Sequence, residues 1–357
     1  MVAGRGPFSM FARQEFVLAA RSRWTQIFAV VFGGLAFAVA ASGYILSGGR
    51  GVQDFARTAV SLVQLVILLV PLTSLLVGVM ALAPERGQAE LVFSQPVARR
   101  TVLFGKLFGL FLALAAAQAI GFGAAGLAVS WEAGDEGVSR FLLLVAGSLS
   151  LTAVFLAVAA FIAAGAPQGG RARALAIALA VWFVAVVLFD VGALAAASFL
   201  RSGRASRLLI LSVLVNPVDA VRTGTLLGIE GVTAFGAASL AFLRFTRGPA
   251  GAAAAIAASV ALWVVVPAWL ASRRLDRADL TPNFLVNRST RPSVSISFCR
   301  PVKNGWQFEQ ISSRSSSLVD LVFQVAPQAQ RTSTSLYFGW MPSFTASSFT
   351  GIPNFQV

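Results

Sequence analysis

The sequence predicts an all-α membrane protein, with six transmembrane helices, an N-terminal interfacial helix and a short cytoplasmic helix between two of the spans. Three observations lead there. Of the 357 residues, 57% are hydrophobic and 12% charged, whereas soluble domains carry roughly 25% charged residues. The mean hydropathy is +0.78. Six nearly charge-free runs reach the ~20 residues that a helix needs to cross a hydrocarbon core of about 30 Å, and none alternates polar and apolar residues as the strands of a transmembrane barrel would.

Residues 1–26 form a basic segment before the first span. In it Phe8, Phe11, Phe16, Leu18 and Ala19 fall roughly on one helical face with Arg13 and Arg21 opposite, the pattern of a helix lying in the membrane interface. The alternative is an ordinary basic flank. The first span, Ile27 to Ile45, is too far from the start and lacks a small-residue cleavage site, so it is expected to stay as an anchor rather than be removed as a signal. Thr58 to Ala83 is the second span, closed by Pro84 and Glu85, and Leu107 to Trp131 is the third. The fourth lies within Phe141 to Gly170, at about 141–165. Ala174 to Leu200 is the fifth, interrupted only by Asp190, and Gly248 to Ser272 is the sixth. Between the last two lies an outer loop, 201–247. Its apolar patches, Leu208 to Val218 and Gly231 to Leu243, are too short to cross and read as interfacial or re-entrant helices.

Orientation follows from the lysines and arginines, which short cytoplasmic loops concentrate. One side collects Arg5, Arg13, Arg21 and Arg23, then Arg86, Arg99, Arg100 and Lys106, then Arg171 and Arg173, and finally Arg273, Arg274 and Arg277. The other side's short loops hold only Arg50 and Arg57, and then Arg140 among Glu132, Asp135 and Glu136. Both termini are therefore expected to be cytoplasmic. The loop 201–247, with six arginines, runs against the rule, although its length weakens its vote.

Several chemistries are excluded by what the sequence lacks. The net charge of +14 is spread over loops with no basic stripe interleaved with aromatics, so no nucleic acid is expected as a partner. There is no histidine, and the only cysteine is Cys299; neither a disulfide framework nor a thiolate or imidazole metal site can be built in the first 280 residues. No cofactor is expected. A phosphate loop is missing too: Gly105 and Lys106 form a G-K pair, but Leu107 follows where a hydroxyl should hold magnesium, and Arg100 stands where the first glycine should be. The intramembrane carboxylates do not occur as a pair, and the chain is expected not to be an enzyme.

One charged island stands out. "ALAPERGQAELVFSQPVARRTVLFGK" brings Glu85, Arg86, Glu90, Arg99, Arg100 and Lys106 together between two oily runs. After Pro84, "ERGQAELVFSQ" has the makings of a short helix, with Glu85 near its positive N-terminal end and Leu91, Val92 and Phe93 as an apolar knob. Pro96 breaks it. Such a helix suits docking into a groove on a soluble motor; the alternative is a solvated loop whose charges only set topology.

"PERGQAELVFSQPVARRTVLFGK" resembles the first cytoplasmic loop of ABC type-2 transporter permeases, and with the six-span layout the resemblance covers roughly residues 10–280. It implies that this helix is the coupling helix, which docks on a separate ABC ATPase. The matching positions are Glu85, Arg86, Gly87, Gln88, Glu90, Pro96, Arg99, Arg100 and Lys106, with Leu91 and Phe93 as the apolar contact; Gln88 stands where threonine is common. It also implies a second copy of the permease and a place in the cell (inner) membrane. "WFVAVVLFDVGALA" and "VNPVDAVRTGTLLGI", the latter carrying Asn216, Pro217, Asp219 and Arg222, are similar to the membrane subunits of transporters that mature nitrous oxide reductase. That narrower resemblance implies a periplasmic accessory partner and a part in supplying copper-sulfur centres. The alternatives are a type-2 exporter permease for another small molecule or lipid, and a polytopic membrane enzyme.

A carboxylate inside a span costs about 2.5 to 3.5 kcal/mol on insertion scales. Asp190 lies about 25 Å along its helix from the cytoplasmic start at 1.5 Å per residue, near the outer interface, which lowers that cost. Its two readings are a structural or dimer contact and a conduction role. A relay of copper ions would need soft or imidazole ligands. The spans offer no histidine, no cysteine and only Met80, so a non-metal species or the transmission of motion is expected instead.

Residues 273–280 close the body with a basic cytoplasmic end, "RRLDRADL". Beyond it, 281–357 is poor in alanine and rich in serine, a composition expected to be disordered or weakly ordered. It reads either as a soluble tail or as a frameshifted or read-through extension.

Overall fold

A computed structural model describes residues 6–47, 52–83, 98–166 and 170–277, and the backbone of 310–315, 320–325 and 331–332. The chain divides into two units, Met1–Ala278 and Asp279–Val357. In the second, three short strands, Gln310–Ser315, Asp320–Val325 and Arg331–Thr332, pair antiparallel in sequence order, in a segment whose composition pointed to little order.

The described residues of the first unit are helical. They form α1 (Pro7–Ala20), α2 (Arg23–Ser47), α3 (Val52–Leu82), α4 (Arg99–Ala164), α5 (Arg171–Phe183), α6 (Phe189–Ser198), α7 (Ser202–Val215), α8 (Pro217–Glu230), α9 (Ala237–Phe245) and α10 (Pro249–Arg277). A π-helical turn, Val184–Leu188, joins α5 to α6. Among the described residues, six stretches are long and apolar enough to cross a membrane: Arg23–Ala41, Thr58–Leu82, Arg99–Gly123, Val138–Ala164, Arg171–Ser198 and Pro249–Arg277. Their number is the expected one; the third begins and ends eight residues before the expected Leu107 to Trp131, and the first and sixth differ from expectation by four or five residues at an end. Helices suit these runs because hydrocarbon offers no water to backbone N–H and C=O groups, so each run must satisfy its own.

The third and fourth spans belong to one helical trace, α4, and the loop expected around Glu132 to Arg140 is helical. On a straight helix Gln118 and Ser148 would stand about 45 Å apart. Instead Ser148 donates to Gln118 Oε1 at 2.6 Å, and Gln118 Nε2 donates to Thr152 Oγ1 at 2.7 Å. The trace therefore doubles back, and this fully buried polar clasp fixes the register of its two halves. Around it the core is layered from Leu62, Val70 and Leu75 of α3 and Leu110, Leu114, Leu151 and Phe155 of α4. An edge-to-face ladder, Phe32 to Phe122 at 4.9 Å and Phe122 to Phe141 at 5.7 Å, ties in α2.

The pre-span helix forms as expected, with small residues against the protein and large apolar ones left outward. Ala12, Glu15 and Ala19 are buried, while Phe8 and Leu18 are exposed. The reason lies in α4, whose Gly105 and Gly109 leave a groove for the α1 backbone; a Cβ on Gly109 would run into the Ala12 carbonyl oxygen. Gly109→Leu should therefore push α1 away and cost about 1–3 kcal/mol by overpacking. Thermal unfolding of the detergent-solubilised protein reads this, with Gly123→Leu, where a Cβ meets open space, expected to behave as wild type.

The segment 201–247 is more structured than short interfacial patches. Gly203–Val215 and Pro217–Ala234 form a pair bent by 100°, as a broken span or a re-entrant loop would. Its second limb, α8, which neither apolar patch covered beyond Val218, buries Val218, Ala220, Val221, Leu226 and Ile229 against the bundle.

Candidate functional site

The bend between α7 and α8 is written in "NPVDAVR". Asn216 caps α8, its Oδ1 accepting from the Val218 N–H at 3.2 Å, and Pro217 takes the first helical position, where its missing N–H is no loss. Asp219 sits in the first turn, at the positive end of the helix. The Asn216 amide then reaches outward, donating to Asp219 Oδ2 at 2.9 Å and to the Ala185 carbonyl at 2.8 Å.

Ala185 belongs to the π-helical turn of the fifth span. Asn216 thus couples the bend to an irregular turn of a kind that recurs at functional sites. The turn ends just before Asp190, whose Oδ2 accepts from Arg222 Nη1 at 3.2 Å; the same guanidinium lies 4.0 Å from Asp219 Oδ1. Two carboxylates share one arginine. Asp219, 29 positions on in sequence, is folded back to Asp190 by the bent pair, so the carboxylate of the fifth span has a second carboxylate beside it that lies outside the six spans. Asn216, Pro217, Asp219, Arg222 and Asp190, expected in two separate places, form one cluster. The Asp190 side chain is 44% exposed and that of Arg222 37%, against 11% for Asp219. The cluster therefore opens to one side.

The sequence held a signal for the bend that apolar periodicity passes over. Asn followed by Pro, with Asp two residues later, marks a helix start. No comparable signal announces the π-helical turn.

The basic residues at the other end of the bundle are structurally committed. Arg99 Nη1 donates to the Leu275 carbonyl at 2.9 Å, and Arg100 pairs with Asp276 at 2.8 Å, so the first turn of α4 is stapled to the last turns of α10. Arg274 lies 3.8 Å over the Phe161 ring. Lys106 Nζ stands 3.4 Å from the buried Glu15 carboxylate, which assigns the G-K pair to holding α1. Arg171 donates to the Met80 carbonyl, joining α5 to the end of α3. Glu85, Arg86, Gly87, Gln88, Glu90, Leu91, Phe93 and Pro96 lie outside the described residues. The chain on either side of them, at Ala83 and Ala98, is described and held by this belt.

Among the described residues, no three side chains of His, Cys, Asp or Glu come together as a metal site would require.

Comparison with known proteins gives a consistent result. The profile of the ABC-2 family transporter protein matches residues 10–280. The chain is 32% identical over 266 residues to the "Probable ABC transporter permease protein NosY" of Pseudomonas aeruginosa, covering 72% of this chain and 91% of that protein. It is 34% identical over 268 residues to the protein of the same name from Stutzerimonas stutzeri, covering 72% and 92%.

Proposed function

Since this chain belongs to the ABC-2 transporter family and is a multi-pass membrane permease subunit, we propose that it couples ATP hydrolysis by a separate ATPase to events across the membrane through the island Glu85–Phe93. The observation that carries this reading is the arginine staple. Arg99 and Arg100, six and seven positions beyond Phe93, fasten the start of α4 to Leu275 and Asp276 at the end of α10. A docked motor that moved the island would move the third and sixth spans together.

In this reading the ATPase sits on the cytoplasmic side, both termini share that side, and two permease copies face each other. The half-open charged cluster supports the pairing, because an ion pair exposed toward hydrocarbon is costly and a second copy or a water-filled path would relieve it. The similarity of the Trp182–Ala195 and Val215–Ile229 stretches to permeases of nitrous oxide reductase maturation supports a periplasmic partner in copper-sulfur centre assembly as the beneficiary. With metal-ligating residues so sparse in the spans, the chain passes a non-metal species or motion rather than copper ions.

Reporter fusions test the geometry. Alkaline phosphatase fused after Gly49, Asp135 or Thr225 should be active, and after Gln88, Gln168 or Asp276 inactive. The opposite pattern would place the island on the side without ATP and end the coupling reading.

A further inference from the structure

Between the second half of α4, α8 and α10 lies a cavity of about 700 Å3, within the range of roughly 300–1,000 Å3 that holds a small organic ligand. Its walls are apolar, with Leu143, Val221, Ile256 and Val260 among them, and the Ser150 hydroxyl on the wall is already bonded to the Ala146 carbonyl. Small side chains keep it open: Ala253 and Ala257 of α10 line it and are exposed.

Charge at its edge indicates what fills it. Arg244 directly follows the lining residue Leu243, and Arg247 precedes the lining residue Pro249 by two. Both are exposed, and neither has a carboxylate within 4.0 Å among the described residues. Glu230 directly precedes the lining residue Gly231 and likewise has no ion-pair partner there. Two arginines and one glutamate, each one or two positions from a residue that lines the apolar trough, offer charges within a side chain's reach that complement a phosphate, an ammonium and an acyl chain. Arg244 and Arg247 also belong to the six arginines of 201–247 that run against the cytoplasmic bias of basic residues. Lipid phosphates on that side would give them a reason to be there.

We propose that this cavity is a binding site for one phospholipid of the bilayer with a zwitterionic, amine-bearing headgroup. An acyl chain fills the trough, Arg244 and Arg247 hold the phosphate, and Glu230 holds the amine. The site sits on α8, the helix that carries Asp219 and Arg222, so the bound lipid also braces the charged cluster.

The test is native mass spectrometry of the full-length protein, purified with any bound partners in mild detergent and supplied with phosphatidylethanolamine or diacylglycerol. Wild type should retain phosphatidylethanolamine, and A253F/A257F, which fills the trough, should lose it. R244Q/R247Q should retain it about tenfold less well, as removing charge-assisted hydrogen bonds predicts, with weak diacylglycerol binding unchanged. Equal retention by all three proteins, or equal retention of both lipids by wild type, would overturn the proposal. Labelling of the unmodified protein with a phosphatidylethanolamine carrying a diazirine on its acyl chain covers the case where a variant does not fold. Label should concentrate in 143–150, 221–232 and 252–261, and even labelling of the exposed faces of α2 and α5 would overturn the proposal equally.

Discussion

Replacing Arg222 by Met should lower the thermal stability of the protein and reduce ATP-driven activity of the assembled transporter at least severalfold. The substitution keeps most of the side-chain volume and removes the cation that Asp190 and Asp219 share. Breaking a fully buried pair by removing one partner costs about 3–5 kcal/mol. Here both Asp190 and Arg222 are more than a third exposed, so solvent or a partner screens part of the loss, and roughly 1–2 kcal/mol is expected. The triple variant D190N/D219N/R222Q removes all three charges and keeps hydrogen-bonding groups in place, and should regain most of the stability. Its activity separates the two readings of Asp190. Recovery of activity with stability identifies a structural contact between elements or copies, whereas recovery of stability alone identifies a charge needed for conduction. If Arg222→Met matches wild type in both unfolding temperature and activity, the cluster is incidental.

Replacing Leu91 and Phe93 together by Ala should have the largest effect on the partner. Burying such a side chain is worth roughly 1.5–3 kcal/mol, and every 1.4 kcal/mol is a factor of ten in Kd. Losing two should weaken ATPase binding by about two orders of magnitude or more. Expression and membrane insertion should survive, since neither residue lies in a span. Arg100→Ala is expected to be much milder, because the Arg100 side chain is 61% exposed and exposed ion pairs contribute little. Arg99→Ala should fall between the two, as it removes a bond to the Leu275 backbone. Pull-down of the ATPase at a series of salt and detergent conditions ranks the three. A ranking with the arginines first would move the docking energy from the apolar knob to the basic belt.

The spans were legible because the constraint behind them is severe. About twenty apolar residues leave few alternatives to a membrane helix, and Thr58 to Ala83 or Gly248 to Ser272 show it without ambiguity. Function-bearing detail was legible only where local chemistry repeats. Asn216 and Pro217 announce a helix start, yet apolar counting ended the patch at Val218 and missed α8. Asp219 could not be matched with Asp190 from sequence, since their meeting depends on a 100° bend and a π-helical turn that no residue type requires. Which face of α1 packs against the protein was not legible for a related reason. Amphipathic pattern rewards large apolar residues such as Phe8, whereas close helix contact at Gly105 and Gly109 selected the small Ala12 and Ala19. Arg99, Arg100 and Lys106 were recognised as positions, and the fold shows what they hold.

A coupling role requires the island to meet an ATPase, and a photo-crosslinker placed at Leu91 in the full-length chain measures that contact in the membrane itself. Illumination of cells that make the chain together with its ABC ATPase partner should give a single adduct, of permease plus ATPase, which disappears when the crosslinker is moved to an exposed position in the segment 201–247 such as Arg204. An adduct only with lipid or with the permease itself, while the ATPase is present and active, would contradict the coupling role.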